Sequence, residues 1–169
     1  PEGWSPVVKV PNIFKVGYSS RRGDSAIMIG VLPRTIAMTF EGSVDQMMRE
    51  MNLSTAQRAR ARSRGKAAGL EMLTYAYDTK DGGQTIRQKV HFINAQGFIL
   101  FVTGIFQSER SSLKEDMIDL EVMLKSLRIE DVPRVDLDQA YRLFMSAQGL
   151  RDEGKLLQAI KPAQECEEM

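Results

Sequence analysis

The stretch from Leu70 to Ile129 constrains the fold most, because its apolar residues recur first at every second position and later at every third or fourth. Glu71–Tyr77 and Thr85–Phe92 alternate in polarity, which is typical of strands with one buried face. Asp78–Gly83 lies between them, and its Asp-Gly and Gly-Gly pairs tolerate the positive φ of a tight turn. Phe98–Phe106 is apolar on both faces, so we expect it in the middle of the sheet.

A helix is predicted directly after this last strand. Ser112 and Glu115 fit a capping box, and one apolar stripe follows at helical spacing, made of Leu113, Met117, Leu120, Leu124 and Leu127. Such a stripe must be buried against another element, and the sheet is the nearest apolar surface. The fold class predicted from this order is therefore α+β, an antiparallel β-sheet flanked by helices.

The first half of the chain adds further strands and a short helix. Ile13–Tyr18 and Ala26–Leu32 are rich in β-branched residues and indicate strands, the second of them central. Ser43 is predicted to cap a helix of roughly ten residues, about the mean length of protein helices, that carries Met47, Met48 and Met51. Gln57–Arg64 alternates arginine with small residues, which favours a strand whose arginines face water.

The overall charge is close to zero and does not favour an anionic partner. The sequence holds 23 Lys and Arg against 22 Asp and Glu, a net charge of +1, so we expect no nucleic-acid partner. The arginines 58, 60, 62 and 64 are the strongest local charge signal, and without interleaved exposed aromatic residues they do not predict a surface that stacks bases. We interpret them as a solvated face, with an electrostatic protein patch at Arg58, Arg60 and Arg62 as the alternative.

The candidates for chemistry are few. His91 is the sole histidine, and we expect it on an exposed strand face beside Arg87 and Lys89. The single cysteine, Cys166, can form no internal disulfide and lacks zinc-site spacing. No phosphate-binding glycine loop or nucleophile elbow occurs. We therefore predict no catalytic residue, no metal ligand and no cofactor-binding residue, and expect a protein without enzymatic activity.

The C-terminal part has a different pattern. A linker at residues 131–135 separates a domain at residues 1–130 from a helical hairpin at residues 136–169. Residues 140–169 resemble one tetratricopeptide repeat, with Pro162 departing from that pattern. A single repeat does not bury its own apolar face, so we expect the hairpin to pack on the main domain, to pair with another chain or to begin a longer array. For the case of a partner, we expect Tyr141, Phe144 and Leu157 to form the stripe that binds it.

Residues 1–130 resemble the PsbP-like superfamily, which includes bacterial DcrB-like lipoproteins and a Ran-binding nuclear-import factor. The resemblance is carried by Trp4, by Gly65 and Gly69 before the Tyr75 strand, by the Gly97–Thr103 strand, and by the helix that ends in Ser126–Ile129. It implies a sheet with helices on both faces. It also implies a non-enzymatic role, since members assist photosystem II, serve as envelope lipoproteins or chaperone apolar segments of secreted toxins.

These observations leave three functions open. We favour a protein-interaction or assembly domain of the bacterial cell envelope, which touches the membrane only through an N-terminal segment expected upstream of Pro1. The second is a cytoplasmic chaperone that shelters apolar segments of a secreted protein in a methionine-lined groove. The third is a small-ligand-binding domain, for which the sequence supplies no constellation of polar groups. The sequence does not predict the oligomeric state.

Overall fold

The computed structural model describes residues 3–11, 13–34, 38–51, 61–95, 97–129 and 137–153, together with residues 155, 158, 162, 164 and 165. Within these ranges the protein is an α+β structure built on one antiparallel sheet of seven strands. The strands are β1 (Trp4–Pro6), β2 (Phe14–Ser20), β3 (Ser25–Pro33), β4 (Arg62–Ala67), β5 (Leu70–Asp81), β6 (Gln84–Asn94) and β7 (Phe98–Gln107).

The strand order is β1-β2-β3-β7-β6-β5-β4, so the apolar strand β7 is the middle one, as predicted. The strands β4 to β7 follow each other through hairpins, whereas β3 pairs with β7 along its whole length, from Ser25↔Phe106 to Pro33↔Phe98. That pairing joins the N-terminal three strands to the C-terminal four.

Three helices accompany the sheet in the part of the chain that the structure describes: α1 (Phe40–Glu50), α2 (Leu113–Ser126) and α3 (Leu137–Asp152). α1 begins earlier than the predicted cap at Ser43, because the Thr39 side chain accepts a hydrogen bond from the backbone N–H of Gly42 at 3.1 Å. Ser112 does precede α2, but its side chain makes no capping bond, so the predicted capping box there is wrong.

The two faces of the sheet carry two separate apolar cores, one beneath α1 and one beneath α2. We call them the α1 face and the α2 face. On the α1 face, Phe40, Val44 and Met48 of the helix pack on strand residues such as Tyr75 and Phe92. On the α2 face, all five residues of the predicted stripe belong to the core: Leu113, Met117, Leu120, Leu124 and Leu127. Helices on both faces are what the family resemblance implied.

The β5–β6 hairpin is longer than the sequence indicated. β5 continues to Asp81, which pairs with Gln84, so the turn is only Gly82 and Gly83. Both glycines have positive φ, 55° and 84°, as a tight two-residue hairpin loop requires. Asp78, predicted in a turn, is instead a strand residue opposite Arg87, whose guanidinium donates two hydrogen bonds to its carboxylate at 2.9 and 3.0 Å.

The C-terminal extension is described in part. α3 agrees with the first helix of the predicted hairpin, whereas the linker at 131–135 and most of the second helix lie outside the described residues. No described helix is long and apolar enough to cross a membrane.

Candidate functional site

An apolar groove opens on the α1 face beside the C-terminal end of α1. We call it the α1 groove; its volume is about 380 Å³. Its lining comes from the start of β2, from α1 and from the central strands, and includes Phe14, Leu32, Met47, Met51, Phe101 and Ile105. Grooves of this size hold the apolar groups of a ligand or of a partner's side chains. The groove exists because one helix of 11 residues covers only part of the broad sheet.

The three methionines predicted on the first helix divide between the core and the groove. Met48 is fully buried beneath the helix, as ordinary core filling predicts. Met47 packs partly against the same core, and Met51 is 43 % exposed just past the end of α1. Met47 and Met51 both line the groove. Unbranched thioether side chains adapt to partners of irregular shape, so this wall can fit apolar groups of different shapes.

The floor of the groove depends on a glycine in β3. Gly30 lies opposite Phe101 of β7, and a Cβ at Gly30 would lie 2.1 Å from Cζ of Phe101. The Phe101 ring therefore occupies the space that a side chain at Gly30 would need, and it meets Phe14 with ring centroids 5.3 Å apart. A glycine inside an apolar strand signals such a close approach, although the sequence does not reveal which ring fills the space.

Polar contacts hold the N-terminal half of α1 against β4 and β5. Tyr75 donates its hydroxyl hydrogen to the Asp45 carboxylate at 2.9 Å. Glu41 pairs with Arg62 at 2.7 Å and also with Arg64. Burial, helped by the bond to Asp45, raises the pKa of Tyr75 to about 12. The bond to Glu41 raises the pKa of Arg62 above its usual value.

These contacts revise the interpretation of the arginine strand. Arg62 and Arg64 share the α1 face and converge on one carboxylate, so they are partly neutralised and not simply hydrated. Arg64 also lies 4.0 Å from Glu71 on the neighbouring strand, so a cross-strand acid balances part of its charge. The groove carries one acidic side chain of its own, since Glu50 lines it at the end of α1.

His91 lies on the opposite face, and the expected exposed position is wrong. It does share a strand face with Arg87 and Lys89, but α2 covers that face and leaves His91 1 % exposed. Its Nδ1 lies 2.8 Å from the Thr74 hydroxyl, and Nε2 has no hydrogen-bond partner in the described residues. Burial, with a smaller contribution from the positive charge of Lys89, lowers the pKa of His91 to about 4. A neutral, enclosed imidazole is poorly placed for proton transfer to a substrate.

Lys89 and Glu121 form an ion pair between β6 and α2. The pKa of Glu121 lies below its usual value because the bond from Lys89, with the charges around it, outweighs a desolvation that acts in the opposite direction. Asp78 behaves similarly, since its hydrogen bonds from Arg87 lower its pKa. Within the described ranges, no three side chains of the His, Cys, Asp and Glu types come together as a metal site would require.

The six predicted partner-binding residues are only partly described. Phe144 is half-buried on α3, and Arg62 lies on β4, ion-paired with Glu41. The side chains of the others lie outside the described residues: Tyr141, Leu157, Arg58 and Arg60. The structure thus brings Arg62 to α1 and leaves the predicted interaction stripe of the extension untested. Sequence reasoning missed Phe14, Phe101 and Ile105 as groove residues, because their convergence depends on strand order.

The chain matches no family model, and it matches none of the curated proteins in sequence. Solved structures do resemble it. Cyanobacterial PsbP (CyanoP) from Synechocystis aligns with a TM-score of 0.53 at 14 % identity, over 73 % of this chain and 81 % of that one. A Bacteroides thetaiotaomicron protein aligns with a TM-score of 0.51 at 12 % identity, over 97 % of this chain and 65 % of that one.

LpqN of Mycobacterium tuberculosis, a protein involved in cell envelope biogenesis, aligns with a TM-score of 0.49 at 14 % identity, over 75 % of this chain and 78 % of that one. The likeness to CyanoP confirms the PsbP-like fold predicted for the sheet domain. At these identities the likeness extends to the fold and not to a site.

Proposed function

We propose that this protein is a non-enzymatic binding domain that holds an apolar segment of a protein partner in the α1 groove and works in the bacterial cell envelope. The observation that carries the proposal is the groove itself. Its wall contains Met47 and the 43 % exposed Met51, and its floor contains Phe101. Burying a partner's apolar side chains there removes surface from water on both molecules.

The groove also indicates what the partner segment carries beside its apolar residues. Glu50 is the charged side chain that lines it in the described part of the chain, and it accepts a hydrogen bond from Gln46 at 3.2 Å. A carboxylate at the mouth attracts a cation and repels an anion across a few ångströms. We therefore expect an apolar segment flanked by Lys or Arg rather than by Asp or Glu.

The envelope location is supported by the resemblance of residues 1–130 to DcrB-like lipoproteins and by the PsbP-like fold. A cytoplasmic chaperone for a secreted protein is the second candidate, because the adaptable walls formed by Met47 and Met51 suit varied apolar segments. Both functions use the same groove and differ in where the protein resides. Fractionation of cells that express the full-length gene product separates them: recovery with the envelope supports the first, and recovery from the cytoplasm supports the second.

Binding at the groove is tested with labelled peptides whose apolar core is flanked by lysines in one version and by glutamates in the other. Fluorescence anisotropy should show saturable binding of the lysine-flanked peptide and weaker binding of the other. Met51→Asp should raise the Kd by about tenfold or more, since it places a charge in the apolar contact. Ile118→Asp is the matched control, because Ile118 is a similarly exposed apolar helix residue, 53 % exposed, on α2.

Two results would contradict the proposal. One is the absence of saturable binding by either peptide while the protein is folded. The other is an equal loss of affinity in Met51→Asp and Ile118→Asp, which would mean that the peptide contacts exposed apolar residues in general and not the groove.

A further inference from the structure

A second groove lies on the opposite side of the sheet, between the C-terminal half of α2 and the strands β2 and β3. We call it the α2 groove; its volume is about 560 Å³. Ile29 and Val102, which are paired residues of β3 and β7, form its floor. Leu124 and Leu127 form the wall on the helix side, and Tyr18 of β2 lines the opposite side. The groove is thus a mainly apolar channel with the Tyr18 phenol among its lining groups.

The charge of this groove is opposite to that of the α1 groove. Arg128 is the charged side chain that lines it in the part of the chain described here. Arg128 is exposed, and the ion pairs found among the described residues do not include it. The last carbonyls of α2 carry a partial negative charge, which Lys125 in the last turn offsets. A guanidinium at the mouth of an apolar channel suits an occupant with a carboxylate at one end.

The hydroxyl groups of the groove limit the occupant further. The Ser126 hydroxyl already donates to the backbone oxygen of Met123 at 2.9 Å, so the polar contacts are concentrated at Arg128 and Tyr18. A peptide would bring many backbone N–H and C=O groups into the channel, and each of them would need a partner. An alkyl chain brings none. Volumes of this order are typical of small-ligand sites.

We propose that the α2 groove binds one molecule of a free fatty acid, with the acyl chain along Ile29 and Val102 and the carboxylate on Arg128. The site is separate from the peptide groove, which lies on the other face of the sheet. It makes the protein a carrier or sensor of single-chain anionic amphiphiles in addition to its binding of a protein segment.

Isothermal titration calorimetry on the full chain, with dodecanoate, tetradecanoate and hexadecanoate below their micelle concentrations, tests the proposal. We expect one molecule bound per chain, with the Kd falling by roughly fourfold for each added methylene until the channel is filled. Arg128→Gln should raise the Kd for dodecanoate by about tenfold, since a charged hydrogen bond is lost. The same variant should bind uncharged dodecan-1-ol as the unaltered protein does.

Two controls keep the result specific to this groove. Lys125→Gln removes a neighbouring exposed cation and should change the Kd less than twofold. Met51→Asp alters the α1 groove and should leave fatty-acid binding unchanged. The proposal is overturned if no saturable binding occurs with any of the three acids, if Arg128→Gln and Lys125→Gln lose affinity equally, or if Met51→Asp abolishes binding.

Discussion

The buried histidine predicts how the stability of the protein depends on pH. His91 is 1 % exposed beneath α2 and its pKa is about 4, against an ordinary value of about 6.5 that applies to the unfolded chain. Above pH 6.5 the imidazole is neutral in both states and contributes nothing. Between pH 6.5 and about 4 the unfolded chain takes up a proton that the folded protein does not. The free energy of unfolding therefore decreases as the pH falls through this window.

The size of the effect follows from the width of the window. A difference of about 2.5 pH units at 1.36 kcal/mol per unit corresponds to roughly 3 kcal/mol at pH 4. Typical domains unfold with 5–15 kcal/mol, so a loss of this size is readily measured. Asp78 and Glu121 also contribute to the acid sensitivity, because the folded protein lowers their pKa values. Their contributions to the free energy of unfolding are lost only at a pH below the ordinary carboxyl pKa of about 4 to 4.5.

Urea unfolding at pH 8, 6.5, 5.5 and 4.5 checks the prediction, with His91→Gln as the comparison. Glutamine keeps a group that can form a hydrogen bond with the Thr74 hydroxyl, and it does not titrate. The slope of the unfolding free energy against pH, between pH 6.5 and 4.5, should therefore be smaller in the variant by the equivalent of about one proton. The absolute stability of the variant does not matter for this comparison. Identical slopes in the two proteins would refute the reasoning, since they would show that His91 is protonated equally in both states.

Other predictions concern packing. Leu120→Ala should lower the free energy of unfolding by about 3–5 kcal/mol in urea unfolding, since Leu120 of α2 is fully buried against Gly104 of β7. Ile118→Ala on the same helix should cost less than about 0.5 kcal/mol, and similar losses in both would contradict the placement of α2. Leu120→Asp should prevent folding, and near-native melting of that variant would overturn the packing of α2 on the sheet. Gly30→Ala should destabilise by about 1–3 kcal/mol and weaken peptide binding in the α1 groove, because it displaces the Phe101 ring; anisotropy and urea unfolding measure the two effects, and an unchanged Kd would show that the ring does not shape the groove. Removal of residues 134–169 should leave a folded sheet domain by circular dichroism, and loss of cooperative unfolding would mean that the extension belongs to the core.

Local sequence patterns predicted the strands and helices of this fold. Non-local contacts determine the order of the strands and the position of the α1 groove, which the patterns did not predict. The alternation along β5 and β6, the apolar β7 and the leucine stripe of α2 are each contained within a short window, so periodicity identifies them. The pairing of β3 with β7 is not contained in any window, because many strand orders bury the same residues equally well. The α1 groove depends on that pairing, so it could not be located from the sequence.

The errors have the same origin. His91 was expected in water because it alternates with Arg87 and Lys89, and this alternation is real. Periodicity shows which residues share a face and does not show whether a helix covers that face. Glu121, which pairs with Lys89, lies more than thirty residues downstream. The β5–β6 turn was placed too early because Asp78 is a turn-forming residue by composition, whereas its bonds to Arg87 keep it in the strand.

The pairing of β3 with β7 has a consequence for how the chain is made. Ile29 of β3 pairs with Val102, which is made about 70 residues later. Trp4 of β1 likewise donates its indole hydrogen to Asp119 on α2, at 2.8 Å, so it also contacts a segment that is made later. Ribosomes add residues in order at roughly 5–20 per second, so the first three strands remain without their partner for several seconds. During that interval the nascent chain exposes unpaired β-forming segments, which are prone to aggregate until β7 has been made.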